Sequence, residues 1–204
     1  MKNLISKLIT RGALQSKNVT DAFLHVDRKD FIISEYKNEA YENIALPIGF
    51  GQTISQPATV AFMLEKLSPR KGEKILDVGS GSGWTTALLA HIVGEKGKVF
   101  GVEIIPELVK FGQNNLAKYD FPQARILQAG KEIGLPKEAP FDRILVSASG
   151  TEISGRLINQ LKSERILVMP IKYSIYRIKK MSNDKLDIQE FPGFVFVPLK
   201  NQFE

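Results

Sequence analysis

Apolar residues at the start of the chain recur at helical spacing. Leu4 and Leu8, and Ile5 and Ile9, stand four apart, and NVTDAFLHV resumes the pattern after a polar break. The spacing predicts two helical segments over residues 1 to about 33. The pattern then fails. ALPIGFGQTISQP, Ala45 to Pro57, is uncharged and strings glycine and proline together with short hydroxyl and amide side chains. Helical periodicity returns in ATVAFMLEKL, with Pro57 suited to a first helical turn and SPRKG as a stop. From Lys74 the periods alternate. KILDVG, KVFGVE, RILQA, FDRILVSA and RILVMPI read as strands; WTTALLAHIV, PELVKFGQNNLAKY and ISGRLINQLK read as helices. Such alternation predicts a parallel sheet covered on both faces. The tail differs: YSIYRIKK, a turn at SNDK and FVFVPL predict an antiparallel hairpin at one end of the sheet. The expected fold is α/β and doubly wound, with a mainly parallel seven-stranded sheet, an antiparallel C-terminal strand and an N-terminal helical extension. One domain is expected over residues 1–204, with 1–56 carrying the helices and the uncharged loop and 57–204 the core and hairpin.

Composition narrows the chemistry. The chain has 204 residues and no cysteine, which excludes disulfides and thiolate chemistry. His25 and His91 are its two histidines, not spaced as a ligand pair, so no metal is expected. His25, within a helical segment, reads as a packed or capping residue. Lys2, Lys7 and Arg11 interrupt the apolar residues of the N-terminus, which reads as an amphipathic helix rather than a signal peptide or membrane span. A cytoplasmic protein with no membrane partner is expected. The net charge of +6 permits nucleic-acid binding. However, the densest basic cluster, Tyr176 to Lys180, alternates like an exposed strand and does not form a basic arm.

Candidate chemistry starts in LDVGSGSGW, which follows a strand and opens a helix. Gly79, Gly81 and Gly83, with Ser80 between the first two, let a backbone turn tightly against a ligand. Glu103 ends the next strand, where a carboxylate can accept from both hydroxyls of a ribose. Open α/β sheets bind ligands at such strand ends. Both NAD and S-adenosylmethionine fit. The glycine spacing is not the pyrophosphate-binding G-x-G-x-x-G, and the terminal hairpin resembles the class I methyltransferase variant of the Rossmann-like sheet. Both favour S-adenosylmethionine. No phosphate-binding lysine–serine pair follows the glycines, which argues against a nucleoside triphosphatase.

NIALPIGFGQTISQP, ILDVGSGSGWTTALLA, VFGVE, PFDRILVSA, INQL and FVFVPL occur in the order and spacing of the protein-L-isoaspartate O-methyltransferase family, which this sequence resembles from about Asn43 to Leu199. The resemblance implies methyl transfer from S-adenosylmethionine, leaving S-adenosylhomocysteine, to the carboxylate of L-isoaspartyl residues in damaged proteins and peptides, with repair through a succinimide. A carboxylate with a pKa of about 4 is already ionised at neutral pH, so no general base is needed. A hydroxyl can hold it without adding a competing charge. The resemblance places that role on Ser55, with Thr53 and Ile54 lining the cofactor and substrate, and substrate binding on Val197, Pro198 and Leu199. Read from the residues alone, Ser55 is equally a cap for the helix near Pro57.

The match departs in two places. The family has Gly-Asp-Gly after the third strand, its aspartate helping to hold the adenine. Here Ala129, Gly130 and Lys131 stand there, so backbone groups at Gly130 and Lys131 would have to make the contact. The family also has a Gly-Gly turn before the fifth strand and a glycine after its proline, where this chain has Glu164, Arg165 and Lys172. Three alternatives remain at this stage: a class I methyltransferase acting on RNA, one esterifying aspartate in a dedicated peptide, or a degenerate cofactor-binding homologue. SASG in place of an Asn/Asp-Pro-Pro-aromatic run argues against base methylation, and no nucleic-acid partner is expected. A monomer is expected.

Overall fold

The computed structural model describes residues 1–199. Helices α1 (Lys2–Thr10) and α2 (Lys17–His25) are followed by two 3-10 turns. A small hairpin, β1 (Leu46–Gly49) and β2 (Gln52–Ile54), precedes α3 (Pro57–Leu67). The core then runs β3 (Lys74–Val78), α4 (Trp84–Val93), β4 (Lys98–Glu103), α5 (Pro106–Leu116), β5 (Ala124–Gln128), β6 (Phe141–Val146), α6 (Gly155–Asn159), β7 (Leu161–Ile171), β8 (Ser174–Lys180) and β9 (Leu186–Pro192). The large sheet has the order β5-β4-β3-β6-β7-β8-β9. Pairings from β5 across to β7 are parallel; β7–β8 and β8–β9 are antiparallel.

Successive strand residues point to opposite faces, and both faces are buried. Ile75, Val99, Leu145 and Val168 pack against α1 to α5, whereas Leu76, Phe100, Ile144 and Leu167 pack against α6 and the stretch around Ile133–Ala139. Connections leave β3 in one direction and β6 in the other, so the strand order reverses between them. Their carboxyl ends form the crevice in which such sheets bind ligands.

Two expectations are corrected. FVFVPL is not the terminal strand: β9 is Leu186–Pro192, a mostly exposed edge strand. Gly193, at φ +98°, turns the chain out of the sheet. Phe194 and Phe196 then pack on the core while Val195 is 82% exposed, so the alternation reflects burial without a ladder. A single parallel bridge, Ser149 to Pro198, fixes this segment. The helix expected over ISGRLINQLK stops at Asn159, because Leu161 already pairs with Phe141. Glu164 and Lys172, where the family has glycine, stand in the positive-φ region that favours glycine, at φ +60° and +53°. Glu164 sits within β7, and its carboxylate accepts from Ser182 N at 2.7 Å and meets Lys179 Nζ at 2.6 Å. These contacts offset the strain of a non-glycine residue in that region.

Candidate functional site

Gly79 continues β3 and Ser147 continues β6, so both stand at the point of strand-order reversal. Between them opens a cleft of about 780 Å³ lined by Gly79, Gly81, Glu103, Ala129, Gly130, Lys131 and the terminal residues Val197 to Leu199. Glu103 is 6% exposed. Its Oε2 accepts from Gly81 N at 2.9 Å, and its Oε1 accepts from Ile104 N at 2.8 Å and Ile105 N at 3.0 Å. Three backbone donors leave one of the roughly four lone-pair directions of a carboxylate. Gly83 lies just behind the cleft at φ +89°, where a Cβ would come within 2.8 Å of Ile126 Cδ1 and 3.1 Å of Gly112 O. Its small size lets the loop cross α5.

Asp77 anchors the same corner from beneath. It is fully buried and accepts from the hydroxyls of Thr85 and Thr86 at 2.6 and 2.7 Å, with Ser147 Oγ at 3.4 Å. Burial raises its carboxyl above the usual range, and the three hydroxyls oppose that shift. Fixing the first turn of α4 to β3 fixes the glycine loop between them.

The hydroxyl loop forms the opposite wall. β1 and β2 pair through Leu46–Ile54 and Pro47–Thr53, presenting Thr53 to the cleft. Thr53, Ile54, Ser55, Ser80 and Trp84 line a second, adjoining cavity. Thr53, Ser55, Ser147 and residues 193–197 line an open groove of about 910 Å³. Thr53 and Ser147 line all three spaces, and Ser55 lines the last two. Thr53 and Ser147 thus mark where the cleft meets the groove, and Ser55 stands beside them between the second cavity and the groove. Ser55 is not the cap of α3. Gln56 holds that position, Ala58 N donates to Asn43 Oδ1 at 2.8 Å, and Thr59 N donates to Gln56 O. The first turn is satisfied without the Ser55 hydroxyl.

The departure at Ala129-Gly130-Lys131 lies in the third wall. A buried side chain that sequence reading missed grips its far end: Gln160 donates from Nε2 to Ile133 O at 2.9 Å and accepts at Oε1 from Leu135 N at 2.8 Å. Gly134 between them, at φ +83°, has no room for a Cβ, which would lie 2.5 Å from the Gln160 amide. The INQL stretch was the signal, since a glutamine ending a buried helix face needs partners. Pro198 and Leu199 close the cleft beside Lys131, and Val197 spans cleft and groove. His25 and His91 are stacked on each other at 4.5 Å between α2 and α4 and line none of the three spaces. Among the described residues no group of three or more His, Cys, Asp or Glu could hold a metal ion, and no helix is long and apolar enough to cross a membrane.

The lining suits a nucleoside without phosphates: one buried carboxylate as acceptor, closely approachable glycine-loop backbone and nearby hydroxyls. Comparisons agree. A model of the protein-L-isoaspartate(D-aspartate) O-methyltransferase family matches residues 1–204. The protein-L-isoaspartate O-methyltransferase of Methanopyrus kandleri is 38% identical over 203 residues, covering 97% of this chain and 90% of the relative. That of Thermococcus onnurineus is 38% identical over 201 residues, covering 96% and 90%. Among solved structures, a protein-L-isoaspartate O-methyltransferase from Plasmodium falciparum, in complex with S-adenosyl-L-homocysteine, superposes with a TM-score of 0.87 at 28% identity and covers 98% of each chain.

Proposed function

The chain belongs to the protein-L-isoaspartate(D-aspartate) O-methyltransferase family, and from that premise we propose how its own residues carry out methylation of an L-isoaspartyl carboxylate with S-adenosylmethionine. The observation that carries the reading is the meeting of the cleft and the open groove at Thr53 and Ser147, with Ser55 on the groove side. When bound, S-adenosylmethionine supplies an electrophilic methyl group, and S-adenosylhomocysteine is the by-product. Glu103 accepts from a ribose hydroxyl through its remaining lone pair. Gly79, Ser80 and Gly81 offer backbone to the cofactor, and Thr53 and Ile54 line its methyl-bearing end. Gly130 and Lys131, which line the cleft, would hold the adenine through their backbone in place of the missing aspartate.

The substrate carboxylate is already ionised, so orientation rather than proton removal is what the site must provide. Ser55 donates a hydrogen bond that holds the carboxylate in a partly desolvated junction. Val197, Pro198 and Leu199 hold the peptide, with the exposed segment at Val195 available for strand-type pairing. The whole chain acts as one domain, as a cytoplasmic monomer, on isoaspartyl proteins and peptides, without a metal. The test is a labelled-methyl assay comparing an isoaspartyl peptide, its aspartyl twin and bulk RNA. Incorporation confined to the isoaspartyl peptide is expected; equal labelling of the aspartyl peptide, or labelling of RNA alone, would overturn the assignment.

A further inference from the structure

Arg28 is fully buried, yet no carboxylate lies within ion-pair distance of it among the described residues. Its partners are backbone carbonyls. Nη1 donates to Ala40 O at 2.9 Å and Glu42 O at 3.2 Å, and Nη2 donates to Ile44 O at 2.8 Å and Ser55 O at 3.2 Å. The guanidinium lies 5.5 Å from the ring centroid of Trp84, which opens α4 directly after the glycine loop and lines the same cavity as Ser55. Burial lowers its pKa to about 10, so it stays a cation at neutral pH.

A buried cation without a counter-ion is costly, and charge-assisted bonds to several carbonyls offset that. The pattern of these bonds is informative. Ile44 comes before β1 and Ser55 follows β2, so a single nitrogen, Nη2, holds both ends of the hydroxyl hairpin. Nη1 holds the chain leading into it, Nε has no hydrogen-bond partner among the described residues, and the guanidinium carbon lies over the ring of Trp84, the first residue of α4. A lysine could not reproduce this, because its compact ammonium lacks the planar fork.

We propose that Arg28 is the positioning residue of the transfer reaction: delivered by the N-terminal extension, it fixes Ser55 relative to the glycine loop and so sets the carboxylate against the methyl group. This rests on the isoaspartyl methyltransferase reading of the same site. It also gives the N-terminal helices a catalytic purpose beyond covering the sheet. Arg28 touches neither substrate nor cofactor; it acts through the backbone of the loop that does.

The experiment compares parent, Arg28→Lys and Arg28→Ala for turnover of an isoaspartyl peptide, S-adenosylhomocysteine affinity and thermal unfolding. Arg28→Lys keeps the charge and decides the matter alone should Arg28→Ala fail to fold. The expected result is a kcat at least about tenfold lower in the folded variants, part of the roughly hundredfold that a 1 Å misplacement can produce. S-adenosylhomocysteine affinity should fall much less than kcat, since Glu103 and the backbone of Gly79 to Gly81 make no bond to Arg28 and only Thr53 and Ile54 reach the cofactor from the hairpin it holds. Added guanidinium ion should partly restore turnover to Arg28→Ala and leave the parent unchanged. A folded Arg28→Lys with parental kcat and a lower unfolding temperature would reduce Arg28 to a structural role. A parent inactive on the isoaspartyl peptide would instead overturn the functional reading.

Discussion

Glu103 takes its three backbone bonds from Gly81, Ile104 and Ile105, all on the elements that form the cofactor corner, whereas the Ser55 carbonyl is held by Arg28 and the turn after it by Asn43, which accepts from Ala58 N; neither residue belongs to the hairpin or to α3. The first region satisfies itself. The second is a short hairpin of four-residue and three-residue strands, outside the large sheet, whose geometry comes from elsewhere in the chain. A site that must bind a common cofactor can be rigid and local. One that must admit segments of damaged protein needs an open wall, and an open wall has to be braced from behind.

The largest expected effect is at the tip of that braced wall. Ser55→Ala should lower turnover by about 2.7–4 kcal/mol, the effect of losing one donor that acts in the transition state. S-adenosylhomocysteine affinity should be nearly unchanged. Because the first turn of α3 is satisfied by Asn43 and Gln56, unfolding should shift by much less than the roughly 1 kcal/mol of a lost cap. Parental turnover with reduced stability would return Ser55 to a structural role and remove the functional half of the comparison.

Glu103→Ala tests the self-contained corner. It should weaken S-adenosylhomocysteine by roughly 1–3 kcal/mol, the range for hydrogen bonds to a charged group. It should also destabilise the fold, because Gly81, Ile104 and Ile105 N–H groups lose their acceptor. Calorimetric titration and thermal unfolding measure the two parts. Unchanged affinity would take Glu103 out of the cofactor site.

Asn43→Ala sharpens the contrast with a smaller change. Removing a cap that reaches α3 from outside should lower stability by about 1 kcal/mol. Since Ala58 lies three residues beyond Ser55, kcat should fall modestly while cofactor affinity holds. A variant that loses cofactor affinity but keeps kcat would contradict the division of the site into two independently held walls.

The same division explains what could be read from the sequence. β3, β4, β5, β6 and β7 with the glycine loop were legible because period and turn chemistry are local properties. Glu103 was legible because it ends a strand. The bracing was not: Arg28 reaches carbonyls 12 to 27 residues away, and carbonyls leave no trace in a sequence. FVFVPL looked like a strand because Phe194 and Phe196 alternate with exposed Val195, a period that burial alone can produce. The real edge strand, LDIQEFP, was overlooked because its polar, exposed residues carry little apolar signal. Ser55 reads as either cap or ligand in the sequence, and the structure removes the cap, since Asn43 accepts from the first turn of α3.

The smallest expected effect on turnover lies outside both regions, at the stacked histidines. His91 stands seven residues along α4 from Trp84, about 10 Å of helical rise from the cleft. Burial, and then His25 and Lys71, lower its pKa, with Asp21 opposing. The folded value therefore lies below the unfolded one, near 6.5. As pH falls through about 6.5, the unfolded chain binds the proton first, so stability declines until the folded pKa is passed. Unfolding temperature should thus drop between about pH 7 and pH 5, and His91→Asn should flatten that drop. Turnover is a separate matter. With a nucleophile already ionised, His91→Asn should keep kcat within a few-fold of the parent, and the profile should lack the inflection of a base that must lose its proton. Loss of about a hundredfold, the scale of general-base catalysis, in a variant that still binds S-adenosylhomocysteine would show that the hydroxyl wall does not work alone.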